Sequence, residues 1–256
     1  MSKMQATITN IKEFHTFTSL LEQFDEIVKF QFSSDGILIQ SMGNGHTCFI
    51  KTKLDKEYFS HFQCDEKMDI SMSMGLVNSI LKKAKRGEQV TISSDGERMQ
   101  FVIESGLSFD IKLIDLDVED MDIPELEYDF STMLNPHVLK DWNSQIVDMT
   151  KSSIIFSFQF NSPDDMDTDE DIMRLSSEGD LVTVKKDEKL TFNIKTNPEK
   201  VSLGHKSMKI VTSLSSFNKD ICMCFQNNMP VEFSFDLNDH GSVECYFAPC
   251  VIEEDL

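Results

Sequence analysis

Positive charge is scarce in this chain. Its 256 residues carry 24 Lys and Arg against 44 Asp and Glu, a formal net charge of −20. Most of such a surface repels nucleic acid, so any nucleic-acid role needs its positive charge gathered locally. Cysteine is also sparse: Cys48, Cys64, Cys222, Cys224, Cys245 and Cys250 are too few for a disulfide framework in a chain of this length. No CxxC occurs. Cys222 and Cys224 stand two apart in the strand-like run Ile221–Phe225, so they share one strand face and are read as small buried hydrophobes rather than metal ligands. There is no N-x-S/T site and no apolar run of membrane-spanning length, and the N-terminus is polar, which predicts an intracellular, reducing location without membrane contact.

Catalytic signatures are missing too. No P-loop, GxSxG, HExxH or Gly-rich dinucleotide motif appears, and His15, His46, His61, His137, His205 and His240 have no paired metal spacing. The acidic run has EF-hand spacing at Asp165, Asp167 and Asp169, but the turn position holds Glu170 and the bidentate position Ser176. Starting at Asp167 supplies Glu178 but puts Ile172 at the turn, so the run reads as a solvated acidic loop. No enzyme, cofactor, metal or catalytic residue is expected.

What is present is a hydrophobic fraction of 40%, enough to build a core in one large or two ordinary domains. Helical periodicity covers 10–24, 73–86, 135–148 and about 203–215, with Asn135 and Pro136 forming a good helix start. Gly204 makes the fourth segment the weakest. Short β-type runs lie between: Val28–Phe32, Ile37–Met42, Cys48–Leu54, Val90–Ser93, Met99–Ile103, Phe109–Ile114, Ile154–Phe160, Ile172–Leu175, Leu181–Lys185, Leu190–Ile194, Ile221–Phe225, Val231–Leu237 and Val243–Phe247. Ser34–Gly36 and Ser94–Gly96 are hairpin turns. The scheme occurs twice, which predicts an α+β fold with an internal duplication: a domain over 1–114, an acidic extended connector over 115–128 and a second domain over 129–256.

The charge follows this organisation. The four helical segments hold 8 basic and 4 acidic residues, while the remainder holds 16 basic and 40 acidic. Ser79, Lys82, Lys83 and Arg86 fall at i, i+3, i+4 and i+7, opposite the apolar stripe of the second segment. Lys206 and Lys209 form a smaller set in the fourth. One lysine face alone is an ordinary solvated surface. Four helices that together oppose the charge of the chain point to a surface facing phosphate.

Four stretches then carry a resemblance to the proliferating cell nuclear antigen (PCNA) family of DNA sliding clamps. Leu38–His46 is similar to the family's strand and loop. Asp110–Glu119 followed by Ile123–Tyr128 is similar to its interdomain connector. Asn78–Lys82 resembles its second helix, and Tyr246–Pro249 with Glu253–Asp255 its C-terminal tail. The resemblance implies two similar clamp domains per chain, a homotrimeric ring with helices lining a central hole and antiparallel sheets outside, and a processivity factor for DNA polymerase. Double-stranded DNA would be held non-specifically by Lys12, Lys82, Lys83, Arg86, Lys140, Lys206 and Lys209. A groove of Met42, His46, Phe49, Met121, Ile123, Pro124, Tyr128, Pro230, Tyr246, Ala248 and Pro249 would take peptides with a glutamine, an aliphatic residue and two aromatics, from the polymerase, the clamp loader and other partners.

Subunits are expected to join by strand pairing between Ser108–Ile114 and Leu181–Lys186, through Ser108, Asp110, Leu113, Leu181, Val182 and Lys185. The implied location is the nucleus or another site of DNA replication. Two departures stand out: Ser162–Asp171 replaces the family's tight hairpin, and no lysine between 152 and 173 matches its modifiable one. Two other readings are a clamp-fold factor acting as monomer or dimer, and an acidic interaction scaffold without DNA function.

Overall fold

The computed structural model describes residues 3–43, 45–114, 126–146, 150, 153–159, 171–178, 183–194 and 200–251. The chain divides into two compact units, Met1–Ile123 with Asp236–Glu244, and Pro124–Phe235 with Cys245–Leu256.

The first unit runs β1 (Met4–Ile8), α1 (Ile11–Phe24), β2 (Ile27–Ser33), β3 (Gly36–Met42), β4 (Cys48–Asp55), β5 (His61–Cys64), β6 (Met68–Ser73), α2 (Met74–Leu81), β7 (Val90–Ser94), β8 (Arg98–Ile103) and β9 (Ser108–Lys112). Asn10 starts α1 by accepting the Glu13 N–H at 3.3 Å. Helical spacing then buries Phe14, Phe17, Leu21 and Phe24 on one side. In β2, Val28, Phe30 and Phe32 are buried in strict alternation. Both predicted Ser-Asp-Gly turns close hairpins. Gly36 has φ +140, and a Cβ there would collide with the Leu54 carbonyl oxygen. Asp95 accepts the Glu97 and Arg98 N–H groups at 2.9 and 3.1 Å, beside Gly96 at φ +98. The strands form two antiparallel arrays, β5-β1-β7-β8-β9 and β4-β3-β2-β6. The first stretch of β18 (Gly241–Phe247), residues Gly241–Glu244, belongs to this unit and lies beside β4. There the Asp55 N–H donates to the His240 carbonyl at 2.9 Å, and Lys51 pairs with Glu244 at 3.7 Å.

The second unit repeats the order: β10 (Phe130–Leu134), α3 (Pro136–Ile146), β11 (Ile154–Gln159), β12 (Ile172–Glu178), β13 (Thr183–Lys189), β14 (Phe192–Ile194), β15 (Val201–Leu203), α4 (His205–Ser213), β16 (Ile221–Phe225) and β17 (Val231–Asp236), ending in β18. Its arrays are β14-β10-β16-β17-β18 and β13-β12-β11-β15. Neighbour for neighbour they match the first unit: β10 pairs with β14 and β16 as β1 pairs with β5 and β7. An aromatic cluster of Phe130, Phe158, Phe192 and Phe225 fills this core, with ring centroids 4.6–5.8 Å apart.

Three expectations need correction. The second helix ends at Leu81, not Arg86. The Lys83 and Ala84 N–H groups turn back to Ile80 and Leu81 (2.9 and 3.2 Å), and Gly87 at φ +90 redirects the chain. Four cations in Lys82–Arg86 also repel one another at helical spacing. Gly204 stands at the N-cap of α4 rather than inside it, because Leu203 is already committed to β15. The strand expected at Leu181–Lys185 is found at Thr183–Lys189. The short strands β1, β5, β6, β10 and β15 were not anticipated.

Candidate functional site

In the first unit α1 packs against α2 through a polar chain that runs from buried Thr18 and Asn78 to exposed Glu22. Thr18 Oγ1 lies 2.6 Å from Asn78 Oδ1, and Asn78 Nδ2 donates to Glu22 Oε2 at 2.6 Å. Thr18 and Asn78 are both buried. Gly75 sits against the same carboxylate, where a Cβ would come 3.3 Å from Glu22 Oε1. This contact fixes the two helices side by side and leaves Lys12, Lys82, Lys83, Lys85 and Arg86 exposed. Among the described residues none of these five side chains is in an ion pair. Glu88 caps this turn through its backbone, accepting the Lys85 N–H at 2.6 Å. The basic cluster is thus a turn following α2, not a helix face. His15 lies next to it, and burial first and Lys82 second pull its pKa below the usual histidine value, against an opposing pull from Glu22.

The second unit has a weaker counterpart. Asn135 Oδ1 accepts the His137 N–H at 2.9 Å, with Pro136 at the first helical position, as the sequence predicts. Lys140 on α3 and Lys206 and Lys209 on α4 are exposed and outside any ion pair among the described residues.

Among the described residues β9 and β13 each stand at the edge of a sheet, while Ile114, the last residue of the expected Ser108–Ile114 segment, bridges to Ser71. β9, with Ser108 and Asp110, pairs only with β8, and Asp110 accepts from Gln100 at 3.1 Å. Leu113 follows just past its end. β13, with Lys185, pairs only with β12, where Arg174 forks onto Asp187 at 2.6 and 2.8 Å. Leu181 and Val182 lie outside the described residues. By repeat position β13 corresponds to β4, and β9 to β18. Gly241–Glu244 of β18 covers β4, whereas nothing among the described residues covers β9 or β13.

The groove candidates fall in both units. In the first, Met42 ends β3 opposite Phe49. The intervening loop closes through the Gly43 N–H to the Cys48 carbonyl (2.8 Å), with His46 exposed at φ +55. A Cβ at Gly43 would collide with Cys48 Sγ. Phe49, at 4% exposure, is paired with half-buried Met42 and shares its face of the sheet, opposite the inward Ile50, Thr52 and Leu54. In the second unit the Tyr128 hydroxyl donates to the Pro230 carbonyl at 3.1 Å. Burial first, then Glu232 and Cys224, raises the Tyr128 pKa and keeps that donor protonated. Pro230 and Tyr246 are half-buried, and Ala248 and Pro249 exposed. Met121, Ile123, Pro124 and the acidic run at 160–170 lie outside the described residues.

Cys222 and Cys224 are also corrected. They share a strand face as predicted, but Ile221, Met223 and Phe225 take the buried positions, and the two cysteines stay half-buried with Sγ atoms 3.5 Å apart. Among the described residues no group of three or more His, Cys, Asp or Glu could hold a metal ion.

A duplicated antiparallel architecture with paired helices and cations at the helix side is that of the DNA-clamp fold class. Residues 8–126 match the family model for the proliferating cell nuclear antigen N-terminal domain. The chain is 22% identical over 244 residues to the proliferating cell nuclear antigen of Chaetomium thermophilum, covering 88% of this chain and 90% of that protein. Its fold is similar to the crystal structure of proliferating cellular nuclear antigen from Entamoeba histolytica, with a TM-score of 0.86 and 17% identity over 98% of this chain and 100% of that one. Residues 8–126 thus match the PCNA N-terminal domain, and the chain as a whole shares the fold of the Entamoeba protein.

Proposed function

We propose that this protein is a DNA sliding clamp, a non-enzymatic processivity factor that encircles duplex DNA and tethers DNA polymerase and other replication and repair proteins. The observation that carries the reading is the pair of uncovered edges, β9 and β13. Within the first unit the edge equivalent to β13 is satisfied by the strand equivalent to β9. Pairing β9 of one copy with β13 of the next repeats that join, and repetition of a head-to-tail join closes a ring. Glu104 and Asp110 on the β9 side and Lys185, Lys186 and Lys189 on the β13 side suit one another in charge. Three copies, each with clamp domains at 1–114 and 129–256 joined by 115–128, would make a homotrimer.

Lys12, Lys82, Lys83, Arg86, Lys140, Lys206 and Lys209 would meet phosphates without reading bases, which suits a part that must slide. Partners would insert a glutamine-aliphatic-aromatic-aromatic peptide against Met42, His46, Phe49, Tyr128, Pro230, Tyr246, Ala248 and Pro249, with Met121, Ile123 and Pro124 from the connector. Three such grooves raise the local concentration of partners, the clamp loader among them, at the site of replication. The protein would work in the nucleus or wherever the DNA is copied.

The test is topological. Clamps loaded by a cognate loader onto nicked circular DNA should survive a salt wash and slide off once the circle is cut. Equal loss from circular and linear DNA would overturn the ring reading.

A further inference from the structure

β16 is an interior strand, hydrogen-bonded to β10 on one side and β17 on the other. Its inward positions Ile221, Met223 and Phe225 are buried, so Cys222 and Cys224 project from the opposite face. Their direct cross-strand neighbours on that face are Met133 and Ser131 of β10 and Ser234 and Glu232 of β17. Met133 is 57% exposed, so this face is open to solvent. The clamp reading gives this pair no task.

The strand sets the spacing of the two sulfurs. Successive same-face Cα atoms of a strand are about 6.8 Å apart, the outer limit of what a disulfide spans, so an intrastrand disulfide would be strained. A cation with sulfur bonds of about 2.3 Å and tetrahedral angles needs its two sulfurs about 3.8 Å apart. The sulfurs stand at 3.5 Å with no change in backbone, on a strand clamped from both sides. The geometry therefore suits chelation better than oxidation. Both sulfurs are soft donors, which select the zinc–cadmium class over magnesium or calcium.

We propose that Cys222 and Cys224 form a two-thiolate site for a soft, thiophilic divalent cation on the open face of the second unit. Two S–H bonds break, their protons go to solvent, two sulfur–metal bonds form, and the aqua cation releases water as its coordination contracts to a tetrahedron; no oxidation state changes. The other coordination positions stay with water. The site lies beside the Tyr128 wall, since Cys224 and Glu232 both act on the Tyr128 hydroxyl.

Cadmium is the probe, because its thiolate complexes absorb in the ultraviolet. The full reduced chain is titrated anaerobically with Cd²⁺, followed by absorbance, by native mass and by counting thiols reactive to a disulfide reagent. One Cd²⁺ should bind per chain, two thiols should become protected, and Zn²⁺ should compete. Replacing either sulfur removes the chelate, so Cys222→Ser and Cys224→Ser should each lower the affinity by about a hundredfold. Cys64→Ser, on β5, should leave it unchanged. Alkylation mapped by mass in the wild-type chain should show protection at 222 and 224 together, which keeps the test independent of how the variants fold. Undiminished affinity in either variant, or protection at other cysteines, would overturn the site. Loss of both thiols in air without metal, restored by a reductant, would also overturn it and make the pair a disulfide switch.

Discussion

Thr18 Oγ1 meets Asn78 Oδ1 at 2.6 Å across 60 residues of sequence, and the Asn78 amide nitrogen donates to Glu22 on the same helix as Thr18. The amide thus ties α2 to α1 from both of its ends. Asn78→Ala would remove two hydrogen bonds, but Thr18 keeps the Phe14 and His15 carbonyls at 3.2 Å and Glu22 is exposed to water, so the cost should be the net worth of the lost bonds, about 1 kcal/mol each. Denaturant unfolding of Asn78→Ala should lose that much. A Thr18→Ala, Asn78→Ala cycle should show coupling, and strict additivity would refute the tie.

Lys82→Glu with Lys83→Glu reverses two exposed, unpaired charges in the turn after α2. Each lost phosphate contact removes about 0.9 from the salt slope of DNA affinity. Loading or polymerase stimulation should fall while oligomer mass and peptide binding stay constant. A double reversal with unchanged DNA behaviour would favour an interaction scaffold without DNA function.

Leu113→Pro lies just beyond β9 and fixes the backbone where that edge strand ends. Lys185→Glu places like charge against Asp110 in the proposed join. Light scattering should give smaller species for both variants than for wild type. A wild type that is itself a monomer or dimer would point instead to a clamp-fold factor that does not close a ring.

A labelled glutamine-aliphatic-aromatic-aromatic peptide should bind with a Kd of about 1 μM, or roughly −8 kcal/mol. Truncating a central aromatic anchor typically loses about 2 kcal/mol or more. Tyr246→Ala should therefore weaken the peptide clearly. Indifference of the wild type to every such peptide would remove the groove.

His15 has its folded pKa below the ordinary 6.5 through burial and Lys82, against Glu22. The unfolded chain therefore binds the proton more readily, and stability falls as pH drops through about 6.5. Melting temperature should decline between pH 7 and 5, and His15→Gln should flatten that part of the decline. An unchanged slope in the variant would assign it to other groups.

Much of the architecture could be read along the chain because the interactions that encode it are local. Asn135 and Pro136 start α3 through contacts within three residues. Asp95 and Gly96 close their hairpin the same way, and the alternation of Val28, Phe30 and Phe32 needs only a strand with one wet face. The duplicated element order is likewise a pattern in one dimension. The short strands β1, β5, β6, β10 and β15 escaped because three to six residues hold too few alternations to stand out. The end of α2 escaped because basic residues are good helix formers, and the close at Leu81 depends on a tightened last turn and Gly87.

By itself the sequence determined where most of the helices and the longer strands lie, that the element order recurs twice, and that no catalytic motif accompanies it. Only the tertiary structure decided which strands are left as edges, since openness depends on every partner a strand could have had. It also decided which face of each sheet is buried. Period-two spacing puts Cys222 and Cys224 on the same side of β16, but packing against the opposite face is what leaves them reachable. Burial is a property of what lies across the core, often more than a hundred residues away, and no local pattern contains it.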